Sequence, residues 1–145
     1  MISNRCQYAL LAMLELARRE GEGLVTIAQI ARARHIPVRF LESILLTLKQ
    51  NGYTKSIRGK AGGYLLARPA ARISAGEIVR LFEGPLFLPA APRRSRVEEY
   101  RADIFHPLWT AAEIALARVF DAVSFAQLAR QDELNEHRAS LHYEI

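Results

Sequence analysis

The stretch that most constrains this chain runs over residues 24–68, and its sharpest part is Arg58-Gly59-Lys60-Ala61-Gly62-Gly63. Three glycines and two cations fill this six-residue loop. Residues 53–57 before it read as a strand and residues 64–66 after it as the returning partner. The result is a hairpin with a basic, flexible tip. Two short helical patterns joined by a tight turn precede it, so the order is helix, turn, helix, hairpin. That order predicts a mainly α fold with a small β-hairpin wing, a winged helix-turn-helix, in which one helix enters the major groove of DNA and the hairpin reaches the phosphates beside it.

The flanking sequence supports this order. Ser3 is a good N-cap for a helix over residues 4–19 that Gly21-Glu22-Gly23 ends. Its free N-H groups at Ser3 to Arg5 are candidates to hold a phosphate. Thr26 caps a second helix, Ile27–Arg34, which His35-Ile36-Pro37 interrupts, because the residue before a proline avoids the α conformation. A third helix, Val38–Gln50, stops at Asn51-Gly52. Leu41, Ile44, Leu45 and Leu48 form its apolar stripe, and Arg39, Glu42, Ser43, Leu46 and Lys49 lie opposite as the candidate base-reading face. Ser74-Ala75-Gly76-Glu77 is a capping box opening a helix to about Glu83.

The chain divides into residues 1–84 as the helix-turn-helix and wing, 85–105 as a proline-containing linker or loop, 106–131 as a long helix with a short terminal one, and 132–145 as a weakly specified tail. The long helix starts from about Val97, and more firmly from Pro107. Its apolar rows, one with Trp109, Ala112, Leu116 and Phe120 and one with Leu108, Ala115 and Val119, cover more than half its circumference. One small domain covers only one row, so a second copy of the chain is expected on the other.

Charge sharpens the functional reading. Residues 1–80 hold 13 Lys and Arg against 5 acidic residues, a balance of +8, while the remaining residues hold 7 against 10, a balance of −3. A polyanion such as double-stranded DNA is therefore drawn to the N-terminal part. No apolar run approaches the roughly 20 residues of a membrane helix, because Glu15 and Glu113 break the two best ones. The first residues lead straight into an amphipathic helix without a signal-peptide core, so a cytoplasmic location without membrane contact is expected.

In its ordered motifs the chain resembles the Rrf2 family of bacterial transcription regulators. They are Arg5-Cys6-Gln7-Tyr8-Ala9-Leu10, Ile27-Ala28-Gln29-Ile30-Ala31, Ile36-Pro37-Val38-Arg39-Phe40-Leu41-Glu42, Leu48-Lys49-Gln50-Asn51-Gly52 and the wing through Leu66. Ile73-Ser74-Ala75-Gly76-Glu77-Ile78, Phe82-Glu83-Gly84-Pro85 and Val123-Ser124-Phe125-Ala126-Gln127-Leu128 extend the likeness over residues 1–130. The resemblance implies a winged-helix domain, a long dimerisation helix and operator binding as a homodimer, with repression the commoner style. It also maps Glu42 onto a base-reading glutamate, and Pro37 and Ser43 onto DNA-facing positions. Many members hold an iron-sulfur cluster with three cysteines in the loop before the long helix. Here residues 84–105 contain no cysteine, and His106 alone cannot hold a thiolate-ligated cluster, so the cluster-free branch and no cofactor are expected.

The DNA-facing set on this reading comprises Ser3, Tyr8, Thr26, Pro37, Arg39, Glu42 and Ser43, with Arg58, Gly59, Lys60, Gly62 and Gly63 on the wing. Arg39 and Glu42 share a helix face and also read as a solvated ion pair; the neighbouring wing favours base contact. Three glycines permit close backbone approach, which solubility does not require. Glycine, lysine and Ser/Thr opening a helix are not found in that order, so the loop is not a nucleotide-binding one. Cys6, near a helix N-terminus and beside Arg5, is a candidate redox sensor through a lowered pKa, although a buried structural cysteine is the commoner outcome. His35, His106, His137 and His142 are too scattered for a metal site, and Trp109 reads as a packing anchor. The alternative to a regulator that binds its own operator is a winged-helix module docking a partner protein through residues 86–96 or the acidic C-terminal part. No paired carboxylates or nucleophile with its base point to an enzyme. The effector, whether a small molecule, a protein or oxidation of Cys6, is left open by these residues.

Overall fold

The computed structural model describes residues 2–85 and 96–144, with side chains omitted for residues 96–103. The elements follow in the order α1 (Asn4–Arg18), α2 (Ile27–Arg34), α3 (Val38–Gln50), β1 (Thr54–Ile57), β2 (Gly63–Leu66), a 3₁₀ turn at Ala70–Arg72, α4 (Ala75–Glu83), α5 (Arg96–Asp121) and α6 (Phe125–Tyr143). The helix starts agree with the caps legible in the sequence. The hydroxyls of Ser3, Thr26, Ser74 and Ser124 each accept a hydrogen bond from a first-turn N-H, and the last three belong to full capping boxes with Gln29, Glu77 and Gln127.

The core gathers around α1. Its fully buried row is Cys6, Ala9, Ala12, Met13 and Leu16, while Tyr8, Leu11 and Leu14 pack half-buried at its margin. Against it lies the apolar stripe of α3, in which Leu41, Ile44, Leu45 and Leu48 are all 0% exposed. Each such side chain contributes about 1.5–3 kcal/mol relative to exposure. The opposite side of α3 is consequently left in solvent. β1 and β2 pair antiparallel with Thr54 opposite Leu66 and Ile57 opposite Gly63. The hairpin is pinned to the body by Val25, whose N-H donates to the Tyr64 carbonyl at 2.8 Å and whose carbonyl accepts from the Tyr64 N-H at 2.7 Å.

Two expectations are corrected here. Residues 132–145 are not a weakly specified tail, because α6 continues to Tyr143 and is not the short terminal helix expected. Phe125 and Ala129 enter the common core, and Asp132 and Glu136 then tie the helix down through cations far away in sequence. The linker drawn over residues 85–105 is also too long, since helix begins at Arg96 and continues through Pro107, whose missing N-H removes one backbone bond without ending it. The rest of that linker and most of the docking segment at 86–96 lie outside the described residues.

The ions around α6 form one network. Glu15, which breaks the apolar pattern of α1, is buried with its carboxylate 2.8 Å from Arg19 and 2.7 Å from Arg34. Asp132 reaches Arg34 at 2.6 Å and Arg18 at 2.9 Å, and Glu136 reaches Arg18 at 2.7 Å. The end of α2 is thus clamped between α1 and α6. Arg34 holds the Asp132 carboxyl below its usual range, and Arg18 does the same to Glu136. A depressed folded-state pKa contributes stability above the unfolded value, about 3.9 to 4.3, that is lost as pH falls through the folded value. The urea midpoint is therefore expected to drop on acidification below about pH 4, and Asp132→Asn to flatten that drop. Arg34→Met, which leaves the Glu15 charge half-compensated, is expected to cost about 3 kcal/mol at neutral pH in the same titration.

Candidate nucleic-acid interface

The turn between α2 and α3 sets the interface. His35 takes up a left-handed conformation at φ 53°, the Ile36 N-H donates to the Ala31 carbonyl at 3.0 Å, and Pro37 sits at the N-cap of α3. Because the stripe from Leu41 to Leu48 is buried, Arg39, Glu42, Ser43 and Leu46 are exposed away from it, and Val38 and Lys49 are exposed along its margin. Arg39 and Glu42 form no ion pair among the described residues. Instead the Arg39 guanidinium lies over the Phe40 ring, 4.7 Å from its centroid, and that ring stacks on Tyr8 at 6.2 Å. Tyr8 thus supports the face from α1. The Ser43 hydroxyl donates to the Phe40 carbonyl at 3.0 Å, which commits its proton and leaves its oxygen able to accept.

One contributor was not anticipated. Arg5 donates to the Thr47 hydroxyl at 3.0 Å and lies 5.5 Å from the Phe82 ring centroid, fastening α1 to α3 and α4. Its partners are 42 and 77 positions away in the chain, so no local pattern announces them.

At the wing, Arg58, Gly59 and Lys60 are exposed, and neither cation has an ion-pair partner among the described residues. Gly59 has φ 118°, which an L side chain rarely adopts. Gly62 and Gly63 need a different explanation from the one expected. A Cβ on Gly62 would lie 2.2 Å from the Ile57 carbonyl oxygen, and one on Gly63 would lie 2.7 Å from the Val25 carbonyl oxygen. Gly62 is required by the hairpin's own backbone and Gly63 by the strand-like segment at Val25 that pairs with it, before any partner approaches. Thr26 is exposed at the start of α2, its hydroxyl engaged by the Gln29 N-H at 3.1 Å.

The N-terminus of α1 is partly occupied. The Ser3 N-H donates to the Glu83 carboxylate at 2.7 Å, the Ser3 hydroxyl donates to the same oxygen at 2.5 Å, and the Cys6 N-H donates to the Ser3 hydroxyl at 3.1 Å. Ser3 is therefore not the open phosphate position the sequence implied, since a carboxylate already takes its donors. The surroundings of Cys6 favour the buried structural cysteine over the redox sensor with a lowered pKa. Burial first, then the Glu83 charge, pushes the thiol up to about 11, so it is protonated at neutral pH and not an activated thiolate. Arg5 points away to Thr47.

The residues expected at a dimer contact fall into two groups on α5. Leu116 and Phe120 line a groove of about 370 Å³ against Val79, Gly84 and Pro85. Leu108 and Val119 are 57% and 63% exposed, with Ala115 exposed on the same side. Trp109 stacks on Phe105 at 6.1 Å, and Ala112 is half-buried. Among the described residues no helix is long and apolar enough to cross a membrane.

A helix-turn-helix whose second helix presents a polar face beside a cationic hairpin defines the class of winged helix-turn-helix proteins. Residues 2–131 match the Rrf2 family, described as an iron-dependent transcriptional regulator. The chain belongs to the Rrf2 family, and it is a DNA-binding transcription regulator, not an enzyme. It is 33% identical over 142 residues to the HTH-type transcriptional regulator CymR of Bacillus subtilis, covering 98% of each chain. The solved structure of B. subtilis CymR, described as the global cysteine regulator, superposes with a TM-score of 0.73 at 31% identity, covering 90% of this chain and 97% of that one. IscR of T. potens superposes with a TM-score of 0.71 at 29% identity, covering 91% and 88%.

The shielding of Cys6 has a direct readout. Iodoacetamide at pH 7.5 is expected to alkylate Cys6 in the folded protein at least 100-fold more slowly than in urea, on the order of the thiolate fraction lost by the raised pKa. A folded-state rate equal to that in urea would contradict the burial.

Proposed function

We propose that the chain acts as a homodimer that reads a palindromic operator through α3 and the wing, most simply as a repressor, and does so without an iron-sulfur cluster. The observation that carries this reading is the exposed side of α3, where Arg39 and Glu42, which has no ion-pair partner among the described residues, stand away from a fully buried stripe. Arg39 is a donor suited to guanine or phosphate, and Glu42 an acceptor suited to the cytosine amino group. Arg58 and Lys60 would neutralise phosphates beside that contact. Pairing of two chains through the exposed row Leu108, Ala115 and Val119 would bury apolar surface that one chain leaves in water, and a two-fold dimer matches two inverted half-sites.

The cluster-free reading rests on ligand chemistry. Iron-sulfur clusters are held by several thiolates, whereas the single Cys6 lies buried in α1 with a raised pKa. Among the described residues no group of three or more His, Cys, Asp or Glu could hold a metal ion.

Selection over random duplexes is expected to enrich one inverted repeat, with affinity falling steeply as salt rises. Arg58→Ala should weaken binding to all duplexes and reduce the salt slope by about one. Glu42→Ala should relax preference at one base pair per half-site, a loss of about 1–3 kcal/mol of discrimination, while nonspecific binding stays intact. Enrichment of no sequence would sink the operator reading.

A further inference from the structure

The reading face of α3 carries a feature that charge does not explain. Val38 and Leu46 lie four residues before and four after Glu42, on one row of the helix, and are 46% and 53% exposed. Single exposed apolar residues are ordinary. These two, however, bracket the one acidic side chain of the face and share it with Arg39 and Lys49. Rotation of α3 to hide them is blocked, because Leu41, Ile44, Leu45 and Leu48 already fill the buried side at 0% exposure, with Val38 left at its margin and Leu46 facing away.

A partner for this row must be polyanionic yet present small apolar groups beside hydrogen-bonding ones. In the major groove the only apolar group on a base edge is the 5-methyl of thymine. We propose that Val38 and Leu46 read thymine 5-methyl groups on either side of the base pair that Glu42 reads. This rests on the operator-binding function proposed above and adds its base composition. Four residues of helix span about 6 Å, against about 3.4 Å per base pair along one strand. Each methyl therefore lies one or two steps from the pair under Glu42, and each half-site is a C·G pair with a thymine near it on both sides. Val38 suits the task because a β-branched side chain in a helix holds one strongly preferred χ1 rotamer, so its methyls are set before contact. It also lies in the first turn of α3, the end that reaches base edges. Phe40, the other exposed apolar residue of that turn, is already engaged by Arg39 and Tyr8.

The test uses the full chain and the duplex that selection enriches. Each thymine is replaced singly by deoxyuridine, which removes the 5-methyl and leaves every hydrogen-bonding group in place. With the unaltered protein, two thymines per half-site should each cost about four-fold in affinity when replaced, the factor expected of one buried methyl group. With Val38→Ala one of those penalties should vanish and the other persist, and with Leu46→Ala the pattern should reverse. Unchanged thermal midpoints for both variants would establish that folding is intact. The proposal is overturned if no deoxyuridine lowers affinity while the duplex still binds, or if the penalties survive in both variants. Enrichment of no duplex at all overturns this inference and the operator reading together.

Discussion

Burial of one side of α3 decides what the other side can offer. Leu41, Ile44, Leu45 and Leu48 are locked against α1, so the rotation of α3 about its axis is fixed by apolar packing and not by any partner. Arg39, Glu42, Ser43 and the apolar pair Val38 and Leu46 are then presented without a conformational step. Turning the helix by a third of a revolution would put leucines in water at a cost of several fully buried side chains, each about 1.5–3 kcal/mol. That cost exceeds anything a few surface contacts could return.

The remaining elements hold this arrangement from three sides. Arg5 links α1 to Thr47 on α3, the Val25 bridge to Tyr64 anchors the wing near the start of α2, and Arg34 fastens the end of α2 to Glu15 and Asp132. The last of these connects the reading unit to α6, which follows directly on α5. If two chains pair through α5, the spacing of their two α3 helices is set through this partly buried ionic contact. Such contacts are costly to break and give little net stability over apolar packing, so a role in fixing geometry is the one they fill best.

Local signals made much of this legible in the sequence. Thr26, Ser74 and Ser124 mark helix starts because a cap acts within three residues, and Gly52 and Gly59 mark turns because φ is a property of single residues. What escaped depends on partners distant in the chain. The length of α6 is hidden because the helix is polar beyond Arg130 and is held at Asp132 and Glu136 by Arg18 and Arg34 from more than 90 positions away. The redox-sensor alternative for Cys6 loses ground because burial, and then Glu83, 77 positions on, raise its pKa, which leaves the buried structural cysteine expected as the commoner outcome. Gly62 and Gly63 read as letting the wing approach a partner, whereas the backbone that crowds them here is the protein's own. Family likeness and helical spacing supplied the class and the candidate residues, and the packing of α3 leaves those residues in solvent.

The central claim is that the outward side of α3 and the wing tip meet DNA together. It is tested most directly by following backbone amide resonances while an enriched duplex is titrated into the isotopically labelled protein. The account predicts that the largest shifts cluster at Val38 to Ser43 and at Arg58 to Lys60, with α6 and the outward row of α5 unmoved. Shifts concentrated on Leu108, Ala115 and Val119, with α3 silent, would contradict it.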